Sequence, residues 1–439
     1  MLLSTWALAA ARSQLNAADT AIRFASVPVD ATPIDVVRAA APVFGTARFL
    51  RTSGGRVMAG LGAAVRFTAT GPDRFAALGR QLAATELHPD AIVFVGFSFA
   101  ADGPRGPEWE GFAAAEAVIP SATVVADRTG TRLVVAVPRG SHPGGLVATL
   151  RDLAHPGSVR LPGFGDHVVR AEPPGADWCR AVEEAVGAIG DGAITKVVLA
   201  RSAVVATEMT VDPFELVHHL VERHPDTHCF GWQIGGTAFV GASPELLVGR
   251  RDRRVTSQPL AGSAPRERGD EEDHAAGAAL LASGKDRQEH AVVVGDIADR
   301  LGPVTTQLEV PTTPSLVVGG TVQHLSTRIT GTLVPEVSLL DLVGRLHPTP
   351  AVGGVPRPEA LGFIDKLEVI DRGWYSGGVG WMDPAGDGDI AIALRCGLIN
   401  GTEARLYAGN GIVVGSDPEA ELVETRWKLA PLLDLLTAT

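Results

Sequence analysis

Short apolar runs recur along the chain and are separated by segments rich in glycine, proline and charge. Strand-length runs are found at residues 92–99, 194–201, 238–241, 390–395 and 404–408. Apolar runs of this length, bounded by turn residues, predict strands. Because strands and helical segments do not alternate regularly, the pattern argues against a parallel sheet with crossover helices.

Three segments have features of helices. The first covers residues 176–189 and follows the proline- and glycine-rich segment 172–175. The second is expected to run from about residue 271 to residue 301. The third opens with Ser-Asp-Pro-Glu at 416–419, which combines an Asp N-cap with a Pro at the first helical position.

Two of these helices carry charged faces. On each helix the spacing of the charged residues places them close to one side. The residues are Lys285, Asp286, Glu289 and Asp296 on the second helix, and Glu421, Glu424 and Lys428 on the third. A solvated acidic stripe is the ordinary interpretation of each set. Glu289, however, adjoins the apolar run 291–294, and solvated faces rarely do so.

Lysine is rare in this chain. The 38 basic residues include four lysines, which are Lys196, Lys285, Lys366 and Lys428. Arginine stays protonated at any workable pH, whereas a buried lysine can lose its proton and act as a base. The lysines therefore mark positions where a guanidinium would not serve. Ordinary helix-face ion pairs are the alternative, since Lys285 and Lys428 each lie four residues from a glutamate.

Composition limits the possible functions. With 439 residues, 45% of them hydrophobic and 20% charged, the chain can form a well-developed globular core. The net charge of −12 argues against nucleic acid or an anionic membrane as partner. The apolar start lacks the basic segment of a signal peptide, so a cytoplasmic protein is expected. Cys179, Cys229 and Cys396 are scattered, as expected of buried thiols in a reducing compartment.

The remaining candidates for a functional site are carboxylate side chains. The sequence lacks a P-loop, a dinucleotide fingerprint and the spacing of a zinc site. Oxygen-only ligands suit Mg²⁺, which usually takes one or two carboxylates together with water and an anionic substrate. Glu289 and Glu424 are the predicted ligands, with Asp286 and Glu421 as further candidates. A lysine base with a glutamic acid would fit an addition–elimination on a bound acid.

Eight segments of the second half resemble motifs of the chorismate-utilising enzymes and follow that family's order. They are residues 196–201, 241–247, 259–266, 285–290, 323–326, 346–351, 408–412, and 421–425 with Lys428. Any one segment would be a weak signal, whereas eight in order form a strong one. Residues 1–170 show no such motif.

The resemblance implies an α+β fold in which residues 1–439 form one large domain. Its core would be a curved, mostly antiparallel sheet surrounded by helices. Residues 1–170 would be a divergent N-terminal part, and residues 171–439 would be the catalytic part with all the motifs. The expected protein is a monomer that binds the small molecule chorismate and has no nucleic-acid or membrane partner.

Three positions distinguish activities within the family. Lys196 stands where ammonia-using anthranilate synthases have Gln, which implies water as nucleophile. Ala261 stands where aminodeoxychorismate synthases of the lysine-nucleophile type have Lys. The His-Pro-Thr-Pro-Ala run at 347–351 is similar to isochorismate synthases, so Mg²⁺-dependent conversion of chorismate to isochorismate is expected. Salicylate synthases share the Lys/Glu pair and are the alternative; an inactive homologue would require the loss of a residue that is present.

The resemblance also assigns roles. Lys196 would activate water for attack at C2, and Glu245 would protonate the departing C4 hydroxyl. Residues implied to bind substrate are Gly262, Ser263, His324, His347, Thr349, Tyr375, Arg395, Gly411 and Lys428. A core histidine bonded to backbone is the alternative for His324 and for His347.

Overall fold

The computed structural model describes residues 2–18, 20–157, 163–267, 269–319 and 322–438. Its helices are α1 (Thr5–Ala17), α2 (Pro33–Phe44), α3 (Arg74–Ala83), α4 (Pro143–Arg151), α5 (Gly175–Gly190), α6 (Pro213–Arg223), α7 (Asp270–Ala282), α8 (Gly284–Leu301), α9 (Leu339–Leu346), α10 (Arg357–Leu367) and α11 (Pro418–Leu436), with short 3₁₀ turns at Pro107–Trp109 and Gly302–Val304. Within these described ranges, no helix combines the length and the apolar character needed to cross a membrane.

The strands are β1 (Ile22–Pro28), β2 (Thr46–Arg51), β3 (Val57–Leu61), β4 (Val65–Ala69), β5 (Val93–Phe97), β6 (Ala115–Ile119), β7 (Ala122–Asp127), β8 (Gly130–Pro138), β9 (His167–Glu172), β10 (Lys196–Thr207), β11 (His228–Ile234), β12 (Thr237–Ser243), β13 (Leu246–Arg251), β14 (Arg254–Gln258), β15 (Leu260–Pro265), β16 (Thr305–Glu309), β17 (Ser315–Val318), β18 (Val322–Ser326), β19 (Ile329–Leu333), β20 (Gly354–Val355), β21 (Gly378–Met382), β22 (Gly388–Ile392), β23 (Cys396–Asn400) and β24 (Glu403–Ile412).

These strands form three antiparallel sheets. The largest has twelve strands in the order β1-β8-β7-β3-β2-β11-β12-β23-β24-β10-β20, with β9 also paired to β10. The second has nine strands in the order β16-β19-β14-β13-β22-β21-β5-β6-β4, and the third has the order β15-β18-β17. Helices such as α2, α6 and α11 pack on the sheets. The predicted α+β fold with an antiparallel core is confirmed.

Both halves of the chain contribute to the same sheets and the same core. β2 pairs with β11 in the twelve-stranded sheet, and β5 pairs with β21 in the nine-stranded sheet. One hydrophobic cluster contains Leu8 of α1, Val205 of β10 and Leu432 of α11, each at most 2% exposed. Because the halves bury these surfaces against each other, the prediction of a single domain is confirmed.

Two of the places where the chain crosses between the two large sheets lie next to each other. β12 of the twelve-stranded sheet continues through Pro244 and Glu245 into β13 of the nine-stranded sheet. β22 of the nine-stranded sheet continues through residues 393–395 into β23, which pairs with β12. The residues at the crossings lie outside the strand ladders, and this places Glu245 and Arg395 next to each other in the fold.

Two element boundaries predicted from the sequence are wrong. The strand expected at 390–395 ends at Ile392, because the chain leaves its sheet there, and Arg395 has a left-handed φ of 50°. The helix expected over 271–301 is broken at Ser283, whose extended backbone separates α7 from α8. Its hydroxyl caps α8 by accepting a hydrogen bond from Asp286 N at 3.2 Å. Ser283 before Gly284 is a possible helix start, but the helical spacing of residues 271–301 suggested one continuous helix instead.

A buried ion pair completes one edge of β10. β20 covers the start of this edge and β9 its end, which leaves a gap between them. Glu368 Oε1 accepts a hydrogen bond from Ala200 N at 2.7 Å, and Arg372 Nη2 donates to Val198 O at 2.7 Å. The two side chains are 5% and 3% exposed, and Arg372 Nε donates to Glu368 Oε2 at 2.8 Å. Together they take the place of a neighbouring strand.

Glu368→Gln should destabilise the fold strongly, since it leaves the Arg372 guanidinium buried without its carboxylate. Breaking a buried pair in this way costs about 3–5 kcal/mol. The matched control is Glu184→Gln, which removes the exposed pair with Lys366 and should cost less than about 1 kcal/mol. Urea unfolding followed by circular dichroism measures both effects. Equal unfolding midpoints for the two variants would contradict the role given to Glu368.

Candidate active site

A cleft at the sheet crossings collects most of the charged residues that the sequence singles out. Its charged lining residues are Lys196, Glu245, Lys285, Asp286, Glu289, Arg395, Glu421, Glu424 and Lys428. They come from β10, from the two crossings and from helices α8 and α11. The open volume is about 90 Å³, below the roughly 300 Å³ at which small-molecule sites usually begin. Side chains of opposite charge that meet across the cleft occupy the rest.

Lys196 is the first residue of β10, and its side chain is 2% exposed. Nζ donates a hydrogen bond to Glu289 Oε1 of α8 at 2.8 Å. Its direct carboxylate partner is therefore Glu289, which the sequence assigns to the metal. The amine of Lys196 is thus held at the wall of the cleft by an interaction that a cation at Glu289 would compete for.

Glu245 lies at the crossing between β12 and β13, outside both strands. Ile392 N donates to Glu245 O at 3.1 Å, and Glu245 N donates to Ser243 Oγ at 3.3 Å, so the kinked backbone is satisfied. Burial raises the pKa of Glu245 to about 8, against smaller opposing effects of the Leu260 amide and Lys196. Glu245 therefore holds a proton at neutral pH and can donate it to a bound molecule.

A row of hydrogen-bonded side chains connects Arg395 with Glu424. Arg395 Nη2 lies 2.9 Å from His324 Nε2, and because a guanidinium only donates, the ring proton must be on Nδ1. Nδ1 lies 3.2 Å from Gly262 O and 3.1 Å from Ser263 Oγ, and Ser263 in turn bonds Glu424. Burial and the charge of Arg395 hold the pKa of His324 well below its usual value. The neutral ring fixes the orientation of Arg395.

Helix α11 presents Glu424 and Lys428 to the cleft. Asp417 caps the helix by accepting a hydrogen bond from Ala420 N at 2.8 Å, as the start at 416–419 predicts. Lys428 Nζ pairs with Glu424 Oε1 at 2.7 Å. Burial acts to raise the pKa of Glu424, but Lys428 and a serine hydroxyl together lower it below its usual value. Glu424 is therefore ionised and available as an oxygen ligand.

The carboxylates of α8 and α11 repel one another. Burial raises the pKa of Asp286, and the charges of Glu289 and Glu424 raise it further. Burial and then the charge of Glu424 raise the pKa of Glu421. Lys285 Nζ lies 3.8 Å from Glu421 Oε1, so it pairs across the cleft with α11. Confined carboxylates that raise one another's pKa are a donor set that a cation would stabilise.

This donor set fits Mg²⁺. All its ligand atoms are carboxylate oxygens, which a hard divalent cation prefers, and Mg²⁺ needs only one or two of them beside water and substrate oxygens. No cage of three or more clustered ligating side chains occurs among the described residues. A Mg²⁺ ion held by Glu289 and Glu424 would therefore depend on the substrate to complete its coordination.

Most uncharged residues expected at the substrate site also line the cleft. They are Gly262, Ser263, His324, Tyr375 and Gly411. Gly262 has a φ of 73° at a bulge of β15, which turns the backbone towards α8. Tyr375 stacks on Tyr407 with ring centroids 5.4 Å apart, and burial raises its pKa to about 12, so its hydroxyl stays a neutral donor.

His347 and Thr349 are placed elsewhere, which corrects their expected position at the cleft. Helix α9 packs against α3 and β13 and carries His347 away from the cleft. The His347 ring lies 5.0 Å from the Phe97 ring, and Nε2 lies 3.3 Å from Phe99 O, which matches the core-histidine alternative. Thr349 is buried outside the cleft lining. Segment 346–351 reaches the cleft through Ala351 instead.

Asn410 is a site residue that the sequence analysis missed. It is 1% exposed, and its Nδ2 donates to Glu421 Oε2 at 2.9 Å while its Oδ1 accepts from Lys428 Nζ at 2.9 Å. It thereby fixes the spacing between strand β24 and helix α11. The available signal was a polar residue between two glycines in the strand.

A glycine is needed at position 411 because a side chain there would have no room, and not because the backbone needs a glycine's conformational freedom. A methyl group on its Cα would lie 2.6 Å from Glu289 Oε1 and 2.8 Å from Lys196 Cε. Both distances are shorter than ordinary van der Waals contacts, so any side chain at 411 would displace the Lys196–Glu289 pair.

Gly411→Ala should therefore lower the rate of the reaction at this site at least tenfold while the fold persists, because a small displacement of reacting groups has effects of up to about 10²-fold. Gly295→Ala is the matched control on α8, since its added methyl meets no atom within 4 Å. The control should keep full activity. Steady-state kinetics and circular dichroism measure the two effects, and an active Gly411→Ala variant would contradict the steric role.

A buried lysine, a protonated glutamic acid and an acidic group of oxygen ligands around one cleft define an enzyme that acts on a small anionic molecule. The chain belongs to the chorismate binding enzyme family, which matches residues 7–437. The resemblance seen in the sequence motifs is confirmed.

Individual relatives carry the name isochorismate synthase. The isochorismate synthase MenF of Bacillus subtilis (strain 168) is 36% identical over 352 residues, which cover 79% of this chain and 74% of that protein. The isochorismate synthase DhbC of the same organism is 41% identical over 273 residues, which cover 60% and 69%. The solved structure of MenF, the menaquinone-specific isochorismate synthase from Escherichia coli, is similar with a TM-score of 0.84 at 27% identity, and covers 98% of this chain and 100% of that chain.

Proposed function

We propose that this protein is an isochorismate synthase that converts chorismate to isochorismate with Mg²⁺. The observation that carries the proposal is the presence of Lys196 and Glu245 in one cleft, both almost fully buried, with the carboxyl group protonated at neutral pH. Exchange of one ring hydroxyl for another needs a base for the incoming water and an acid for the departing group. The similarity to isochorismate synthases supports this reaction.

Water is the nucleophile in the proposed reaction. Lys196, in its neutral form, takes a proton from water as the water oxygen bonds to C2 of chorismate. The ring double bond shifts, and the bond between C4 and its hydroxyl breaks. Glu245 gives its proton to the departing hydroxyl, which leaves as water. One water enters and one leaves, and proton transfer through solvent restores both groups.

The substrate carboxylates would replace the contacts that now fill the cleft. Arg395 and the neutral hydroxyl of Tyr375 would bind the enolpyruvyl carboxylate, since both line the cleft and Arg395 is held in place by His324. Mg²⁺ bound by Glu289 and Glu424 would supply positive charge for the ring carboxylate.

Further donors along the cleft would complete the site. Ser263 and Lys428 line the cleft, together with the backbone at Gly262 and Gly411. These groups would hold the substrate ring between Lys196 and Glu245.

Product analysis tests the proposal directly. Purified protein incubated with chorismate and MgCl₂ should form isochorismate, separated by liquid chromatography, without release of pyruvate, and excess EDTA should stop the reaction. Release of pyruvate with salicylate would assign the chain to salicylate synthases instead. Consumption of chorismate only when ammonia is supplied would overturn water as the nucleophile.

Lys196→Arg should lose isochorismate formation by about 10²–10⁴-fold, the usual effect of removing a general base. Arginine keeps a positive charge for Glu289 but cannot give up its proton. Lys196→Gln should lose water addition as well. The control is Lys366→Arg, at an exposed lysine paired with Glu184, which should retain full activity. Turnover of Lys196→Arg near the wild-type rate would leave Lys196 with a structural role.

The pH profile should report Glu245. Because its pKa is raised to about 8 in the folded protein, the proton is present below that pH, and kcat should fall as pH rises above about 8. Between pH 4.5 and 8 the folded state holds a proton that the unfolded state has lost, so stability should fall with rising pH in this window. Glu245→Gln should be inactive and should flatten this part of the stability profile. A kcat that stays constant to pH 10 would exclude Glu245 as the acid.

A further inference from the structure

A second and larger cavity lies behind the Glu368–Arg372 pair, on the side away from the catalytic cleft. Its volume is about 910 Å³, within the range of sites that bind small molecules. It is bounded by the start of α3, by one face of α10 and by the segment 368–373 that follows α10. The proposed reaction uses none of its open space.

Arg74 at the start of α3 brings a buried positive charge to this cavity, and Asp102, outside the cavity lining, acts on it electrostatically. It is 4% exposed, and no carboxylate of the described residues lies within ion-pair distance of it. Nη2 donates to Ser98 O at 3.2 Å, Nε has no hydrogen-bond partner, and the guanidinium lies 4.5 Å above the Phe75 ring. A guanidinium in this position attracts an anion because a buried charge is costly without a partner.

Arg357 at the start of α10 brings a second positive charge, on which Asp296, outside the cavity lining, acts electrostatically. Its terminal nitrogens donate to Leu346 O at 2.9 Å and His347 O at 3.3 Å, and it forms no ion pair within the described ranges. Burial lowers the pKa of His347 to about 3, and both Arg74 and Arg357 lower it further. His347 is thus neutral and lies close to both guanidinium groups, so the two positive charges share one end of the cavity.

Three of the four carboxylates that line the cavity are already partnered. Glu368 pairs with Arg372, and Asp365 pairs with Arg105 at the exposed mouth. Asp371 accepts hydrogen bonds from backbone amides, including Gly373 N at 2.9 Å.

Glu108 is the fourth carboxylate, and it acts electrostatically on Arg405 and Tyr407, outside the cavity lining. The positive charge at the His347 end therefore has no counter-charge among these groups.

The rest of the wall is apolar. It is lined by Phe75, Phe99, Leu361, Ile364 and Ile370. Phe99 also lies against Arg372, whose guanidinium carbon is 4.3 Å from the ring centroid. A molecule that fits this cavity would carry an anionic group at one end and an apolar or aromatic body at the other.

We propose that this cavity is a second ligand site, which binds a small carboxylate with an aromatic or cyclic apolar body. Arg74 and Arg357 bind the carboxylate, and the phenylalanine and aliphatic side chains bind the ring. The site is separate from the catalytic cleft, and its existence does not depend on the reaction proposed there.

The two sites share one wall. Arg372 Nη1 donates to Val352 O at 2.8 Å and Nη2 donates to Val198 O at 2.7 Å, and both valines line the catalytic cleft. Val198 lies two residues from Lys196 in β10. A ligand that contacts Arg372 from the cavity would therefore be separated from β10, which carries the proposed base Lys196, by the Arg372 side chain alone.

Direct binding of a probe tests the site. The probe is 1-naphthoate, an aromatic carboxylate, titrated into the full-length protein by isothermal titration calorimetry without chorismate. One saturable site is expected, with weaker binding of the uncharged 1-naphthalenemethanol. Arg74→Gln and Arg357→Gln should each weaken naphthoate binding about tenfold or more, because each removes a charge-assisted hydrogen bond. Arg105→Gln, at the paired and exposed mouth, is the matched control and should change binding less than threefold.

A second variant covers the case in which Arg74→Gln fails to fold. Leu361→Trp places a large side chain in the cavity from the half-buried face of α10, and it should abolish binding without removing a charge. Arg395→Gln should leave binding unchanged, since Arg395 belongs to the catalytic cleft. Loss of binding in Arg395→Gln, unchanged binding in Leu361→Trp, or no saturable binding at millimolar probe would each overturn the proposal.

Discussion

The burial of Lys196 and Glu245 is the constraint on which the site depends. Both residues are at most 3% exposed, and a charged group in such a position is unstable unless it is paired or neutralised. The structure uses one solution for each. Lys196 is paired with Glu289 at 2.8 Å, whereas Glu245 has its pKa raised to about 8 by burial and keeps its proton. The same loss of water that makes Glu245 costly to ionise keeps on it the proton that a general acid must donate.

The two sheet crossings explain how such residues can meet at all. Within a strand ladder, neighbouring side chains alternate between faces and their backbone groups are occupied by the adjacent strands. At Glu245 and Arg395 the ladder is interrupted, and the open backbone is satisfied locally, as by the bond from Ile392 N to Glu245 O. Because β12 pairs with β23, the two interruptions lie side by side. The cleft is therefore a consequence of sheet topology, and helices α8 and α11 supply its acidic side.

Local signals in the sequence predicted the parts of this arrangement that local chemistry determines. The start of α11 followed from its capping pattern at 416–419, and the family motifs assigned most of the lining residues. The errors occur where tertiary structure decides. The apolar run at 390–395 has strand character throughout, and only the change of sheet ends the strand at Ile392. Similarly, Lys285 lies one turn from Glu289 on α8, but its ion pair is with Glu421 of α11. His347 belongs to a recognised motif, yet the packing of α9 places it in a different cavity.

The charges of the cleft fit the proposed combination of a divalent cation with a dianionic substrate. Before Lys196 gives up the proton that the base role requires it to lose, the basic side chains carry four formal positive charges, from Lys196, Lys285, Arg395 and Lys428. Asp286, Glu289, Glu421 and Glu424 carry four formal negative charges when ionised, while Glu245 is neutral. A dianion alone would leave two negative charges uncompensated in this partly buried cleft, and a divalent cation alone would leave two positive ones. A dicarboxylate such as chorismate with one Mg²⁺ adds no net charge. A cation bound by Glu289 and Glu424 would take the place of the ammonium groups of Lys196 and Lys428, which would then be available to the substrate carboxylates.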